Sequence, residues 1–172
     1  MIAIVVAIVA FVPMIGEAIV SARHEATLRR RGAIEPEDDV YRVMLVAYPM
    51  AFACLAIEAW LRPPHSISIS VWGLWLFALA KALKYWAIAT LGERWTFRVL
   101  VPPTSSRIVA GPYRFIRHPN YVAVAGELVA ATVMAQAWLT GPIVTIGFAL
   151  LMLARIRVEE RALGMGQPPR PH

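Results

Sequence analysis

The sequence is poor in cysteine and in charge. Cys54 is the lone cysteine among 172 residues, which excludes a disulfide framework and a thiolate metal site; inside an apolar run it reads as a small buried hydrophobe. Charged residues make up only 16% of the chain and hydrophobic ones 59%, whereas a soluble domain carries about a quarter charged residues. This is the composition of a membrane protein. The formal charge of +6 does not signal nucleic acid, because the arginines fall in short clusters between apolar runs and no soluble basic domain is present to carry such a surface. No internal repeat of roughly 20–50 residues is apparent.

What is present is a series of long apolar runs. Met1 to Val20 is long enough to span hydrocarbon and lacks a positive segment ahead of it, so it reads as a retained helix with its N-terminus outside. Glu17 lies near its inner end, where it pairs with Arg23 or reaches water. The charged connector Ser21–Val40 begins as a helical extension that stops at Gly32 and ends in the acidic patch Glu35, Glu37, Asp38 and Asp39. Tyr41–Leu61 is the second span, with Pro49 as its kink and Glu58 near its far end. Ser66–Leu91 holds the third, in which Lys81 and Lys84 share a face and are expected to snorkel to the headgroups. Asn120–Leu139 and Ile143–Val158 are the fourth and fifth, joined by Gly141-Pro142 as a tight outer turn. Nearly all arginines then fall on one side, so the N-terminus is placed outside and the C-terminus in the cytoplasm.

The densest chemistry lies at 111–121, G-P-Y-R-F-I-R-H-P-N-Y. Pro119 suits the first position of a helix, where its missing N–H costs nothing. A helix start flanked by Arg114, Arg117 and His118 attracts an anionic group, although a basic, capped loop beside a membrane has the same appearance. Because the fourth and fifth spans form a hairpin, Arg155, Glu159 and Glu160 should face this turn, and Arg155 and Glu159 share a helical face. Glu127 lies about 10 Å deeper along the fourth span. A carboxylate at that depth is either functional or the partner of Lys81 or Lys84.

The 111–121 stretch, followed across the hairpin by R-I-R-V-E-E-R-A-L at 155–163, resembles the isoprenylcysteine carboxyl methyltransferase family of integral membrane enzymes. L-G-E-R-W-T at 91–96 and R-I-V-A-G-P-Y at 107–113 fit as well. The connector R-H-E-A-T-L-R-R-R-G-A-I-E and N-Y-V-A-V-A-G-E are most similar to a bacterial branch that methylates alkylresorcinols and alkylpyrones. The shorter R-H-P-x-Y core is also shared with phospholipid methyltransferases and sterol reductases.

The apolar runs imply an all-α integral membrane fold of five transmembrane helices, and the resemblance fits a cofactor site into it. Residues 1–91 would carry helices one to three. Residues 92–163 would form the cofactor-binding region, whose helical hairpin encloses a pocket on the cytosolic side, and 164–172 a flexible tail. The resemblance implies S-adenosylmethionine as cofactor and S-adenosylhomocysteine as product. Tyr113, His118, Pro119, Asn120 and Tyr121 would line the pocket, with Glu159 reaching it from the last helix and Arg107 and Ile108 in the loop that closes over it. Where the family often has a histidine in that loop, this chain has Ser105. Arg155 would sit at the methyl acceptor. For a carboxylate acceptor Arg155 binds it and no base is needed; for a phenol or enol, Glu127 or His118 is the candidate base. No metal is called for. The partners implied are the bilayer and a lipophilic acceptor, with no obligate protein partner. Phospholipid N-methylation and a non-enzymatic membrane subunit are the alternatives.

Overall fold

A computed structural model describes residues 1–36, 40–101 and 108–162. Five α-helices account for most of them: α1 Ile2–Arg30, α2 Tyr41–Leu61, α3 Ile67–Leu91, α4 Pro119–Ala135 and α5 Thr140–Ala162, with 3-10 turns at Gly92–Arg94 and Gly111–Arg114. The described residues include no strand, only an isolated antiparallel bridge between Ile34 and Val101. The parts of the connector and loop at 37–39 and 102–107, with Arg107 and Ser105 among them, lie outside the described residues, as does the tail from 163 onward.

Four helices, α1, α2, α3 and α5, are long and apolar enough to cross a membrane. They leave large hydrophobic side chains on the outside of the bundle, among them Ile8, Val46, Trp72, Trp75 and Ile146, as lipid contact requires. α4 is different. Its 17 residues rise about 25 Å, short of a hydrocarbon core of about 30 Å, and it is the most enclosed helix, with Ala123, Glu127, Leu128, Ala131 and Ala135 all buried. Small residues let α3 and α4 come together. A Cβ added at Gly73 would sit 2.3 Å from the backbone nitrogen of Met134.

The outer end departs from the expected turn. Gly141 and Pro142 lie inside the first turn of α5, and the reversal occurs at 136–139 instead. Gln136 ends α4 in a left-handed conformation, φ 49°. Its amide holds it there, donating to the Ser66 carbonyl at 2.6 Å and accepting from the His65 N–H at 3.2 Å. The cap of α5 comes from another helix: Glu58 on α2 accepts from the Thr140 N–H at 2.7 Å, the Thr140 hydroxyl at 2.6 Å and the Leu139 N–H at 3.2 Å. A carboxylate at a helix N-terminus satisfies the open N–H groups and faces the positive end of the dipole. The proline therefore occupies a position where helices tolerate it.

At the opposite end α1 continues well past the apolar run as one helix and is followed by Gly32 at φ 79°. Its extension straps down the segment after α3. The Trp95 carbonyl accepts from His24 Nδ1 at 2.8 Å and the Phe97 N–H donates to Ser21 Oγ at 2.7 Å. Arg98 pairs with Glu25 at 3.3 Å and Glu35 at 2.6 Å, while its guanidinium lies 4.4 Å from the Tyr41 ring centroid.

Candidate functional site

Pro112 and Pro119 fix the two bends of the junction between α3 and α4. Gly111 takes φ 51°, and a Cβ there would fall 2.3 Å from the Thr90 hydroxyl, so the chain can cross the end of α3 only with glycine at this point. The junction then delivers His118 and Tyr121 against the last turns of α5. Glu160 Oε1 accepts from His118 Nε2 at 3.2 Å, and Arg117 stands 4.0 Å from the same oxygen. The Tyr121 hydroxyl donates to Glu159 Oε2 at 2.8 Å and accepts from Arg155 Nε at 3.1 Å. A further Arg155 nitrogen donates to the Phe97 carbonyl, which ties α5 to the strapped segment. Arg155 is only 6% exposed. Burial first, and then the Glu159 carboxylate, push the Tyr113 phenol well above its ordinary pKa of 10.

Tyr121 and Arg155 also form part of the wall of a cavity of about 340 Å³. It runs from Asn120 and the Trp95–Phe97 segment, between α1 and α2, past Met14, Ile15, Leu45 and Tyr48. Ile15 and Leu45 are 62% and 51% exposed, so the cavity reaches the lipid-facing surface between these two helices. His118, Glu159 and Glu160 are not in its wall. Glu159 meets the cavity wall through the Tyr121 hydroxyl, and Glu160 contacts His118. Asn120 accepts from Trp95 Nε1 at 3.4 Å, Pro119 is buried at the start of α4, and Ile108 is half-buried in the coil leading to Gly111.

Glu127 occupies a separate cluster. It is 1% exposed and shares two ammonium groups with Glu17: Lys81 lies 2.7 Å from Glu17 and 3.1 Å from Glu127, and Lys84 lies 2.6 Å and 3.5 Å from the same two. The Tyr48 hydroxyl donates to Glu127 Oε2. Two expectations are corrected here. Lys81 and Lys84 do not snorkel to the headgroups but are 8% and 2% exposed, and Glu17 pairs with them rather than with Arg23 or water. The reason is mutual: an unpaired carboxylate or ammonium in apolar surroundings is so costly that charges at matching depth on α1, α3 and α4 find one another.

Tyr48, Glu17, Trp95 and Phe97 were not among the residues singled out from sequence for the site. Glu17 had a usable signal, an acid in an apolar run opposite two lysines of matching depth. Tyr48 had none, since one tyrosine in an apolar helix looks like any other.

The profile of the isoprenylcysteine carboxyl methyltransferase (ICMT) family matches residues 73–165, more than half of the chain. The chain belongs to this family. ICMT family membership carries methyltransferase activity in general, and with the four apolar helices it makes the chain an integral membrane protein. The matched range begins within α3 and takes in the junction, α4 and α5, so it covers both halves of the His118–Glu160 and Tyr121–Glu159 contacts. Similar proteins extend over more of the chain. Uncharacterized protein YpbQ of Bacillus subtilis (strain 168) is 31% identical over 86% of this chain and 88% of its own length. An uncharacterized protein of Haemophilus influenzae (strain ATCC 51907 / DSM 11121 / KW20 / Rd) is 28% identical over 84% of each. No solved structure matches the chain.

Proposed function

We propose that the protein is an S-adenosylmethionine-dependent O-methyltransferase acting on a lipophilic acceptor, with its donor site at the cytoplasmic face and its N-terminus outside. The observation that carries this reading is the position of the Tyr121–Arg155 pair. Both residues line the cavity that reaches the lipid-facing surface, and Tyr121 also holds Glu159, the neighbour of the Glu160 that meets His118.

The residues around this pair fit a zwitterionic nucleoside donor. Glu159 and Glu160 suit ribose hydroxyls or an ammonium group, His118 and the start of α4 suit a carboxylate, and Tyr113 and Tyr121 offer ring faces. When bound, the donor supplies an electrophilic methyl group on a sulfonium. The protein's own task is alignment and exclusion of water. Tyr121, held between Arg155 and Glu159, fixes the boundary between donor and acceptor. Arg155 sits where it can steer an anionic acceptor oxygen. Ile15, Leu45 and Met14 admit an apolar tail from the bilayer. A phenolic or enolic polyketide lipid leads over a prenylcysteine-type carboxylate as acceptor.

Membranes containing the protein, incubated with methyl-labelled S-adenosylmethionine and a lipid extract, should yield a labelled lipid, and Glu159→Ala should abolish it. Absence of labelled lipid together with undetectable donor binding by calorimetry in detergent would refute the reading.

A further inference from the structure

Glu17, Lys81, Lys84 and Glu127 form a charge-balanced cluster of two carboxylates and two ammoniums drawn from three helices. Two features exceed what an ion pair holding helices together needs. First, Lys81 and Lys84 are the chain's only lysines, every other basic side chain apart from histidine being arginine. Arginine is the stronger structural partner of a buried carboxylate, whereas a buried lysine responds to the protonation of its neighbours. Second, the cluster is connected to the cavity. Tyr48 and Lys84 line the cavity while Glu127 stands behind them. The Tyr48 ring is fixed by an edge contact with Phe52 at 5.1 Å and by Phe148 at 5.1 Å, and its hydroxyl is directed onto Glu127 Oε2. The second oxygen of Glu127 is buried without a hydrogen bond among the described residues, with only the Lys84 ammonium at 3.5 Å.

We propose that Tyr48 and Glu127 form a proton relay that deprotonates the acceptor, which makes the acceptor a phenol or enol rather than a carboxylate. This rests on the methyltransferase reading above and deepens it. The acceptor O–H gives its proton to the Tyr48 oxygen as the Tyr48 proton passes to Glu127. The freed oxygen pair forms the bond to the methyl carbon. The carbon–sulfur bond breaks and its electron pair stays on sulfur, leaving a neutral thioether. The positive charge lost from the sulfonium reappears on the cluster, where neutral Glu127 now faces Lys81 and Lys84, and the proton returns to water through Tyr48 once the product has left. Lys84, in the cavity wall, stabilises the negative charge developing on the acceptor oxygen. A lipid carboxylate is already ionised at neutral pH and has no use for such a relay.

The test uses a set of alkyl phenols of falling pKa, ending with one fully ionised at the assay pH, and a lipid carboxylate of similar tail. Wild type and Tyr48→Phe are compared, with Glu127→Gln as the second variant. Rates for two acceptors in one preparation are expressed as a ratio, so the fraction of folded protein cancels. With the un-ionised phenol, Tyr48→Phe should lower kcat by about 100-fold or more, the size of a general-base contribution, and the loss should shrink steadily as the acceptor becomes more acidic. A purely structural role would lower every rate equally. Ratios in both variants equal to those of wild type, or a wild type that methylates the carboxylate and none of the phenols, would overturn the relay. Failure of wild type to methylate any acceptor would instead remove the methyltransferase reading itself.

Discussion

Arg155 Nε stands 3.1 Å from the Tyr121 hydroxyl, which in turn donates to Glu159 Oε2 at 2.8 Å. One phenol thus orients both an arginine and a carboxylate brought to it from α5. Tyr121→Phe keeps the ring and removes both bonds. Hydrogen bonds to charged groups contribute about 1.5–3 kcal/mol, so donor affinity should fall about tenfold or more, with Glu159 no longer held in place. Calorimetric titration of S-adenosylmethionine into detergent-solubilised protein measures it, and unchanged affinity would show that Glu159 needs no such support.

The lysine cluster predicts a non-additive effect on stability. Lys84→Met leaves Glu17 and Glu127 to share Lys81 alone, and removing one member of a buried ion pair costs about 3–5 kcal/mol. Adding Glu17→Gln restores charge balance. The double variant should melt closer to wild type than Lys84→Met does, by thermal unfolding in detergent. Additive losses would mean that the two groups do not sense each other.

Gly73 offers a test of the α3–α4 packing. A methyl group there meets Met134 backbone rather than a flexible side chain, so one helix must shift. Overpacking of this kind costs about 1–3 kcal/mol. Gly73→Ala should lower the melting temperature, while Gly147→Ala, where a Cβ meets nothing within 4 Å, should be neutral or slightly favourable to helix α5.

The contrast between these sites explains which parts of the molecule could be read from the chain. The spans were legible because lipid demands long apolar runs, and the junction because Pro112, Arg114, Arg117, His118 and Pro119 fall within a few residues. The limits of α4 and α5 were not. Gly141-Pro142 has the composition of a turn, yet Glu58, 82 residues away from Thr140, caps α5 ahead of it. The lysine cluster was legible in part: depth alone pairs Glu127 with Lys81 or Lys84, whereas the place of Glu17, 67 residues from Lys84, depends on where α1 lies relative to α3. A carboxylate whose partner comes from another helix carries no local pattern, and the cavity is lined from α1, α2, α4, α5 and the segment after α3 together, an arrangement periodicity does not specify.

Glu35 gives the clasp between α1 and the 95–98 segment a dependence on acid. Burial raises its pKa, but hydrogen bonds from Arg98 and Arg29 outweigh it and bring the carboxyl below its ordinary 4.5. Because the folded value is the lower one, folding favours the ionised form. The stabilisation is complete above pH 4.5 and is lost as pH falls through the folded-state value. Below that, neutral Glu35 no longer holds Arg98, whose own pKa is raised chiefly by its hydrogen bond to Glu35. The Ile34–Val101 bridge, one residue from Glu35, should then open. Hydrogen exchange of the Ile34 and Val101 amides, which donate to each other's carbonyls at 3.0 Å, should accelerate as pH falls below 4.5 after correction for intrinsic rates. Other carboxylates titrate in this range, so the decisive quantity is the difference from Glu35→Gln. That variant should exchange faster at pH 6 and show a smaller acid response. An equal acid response in the two proteins would show that Glu35 does not carry the effect.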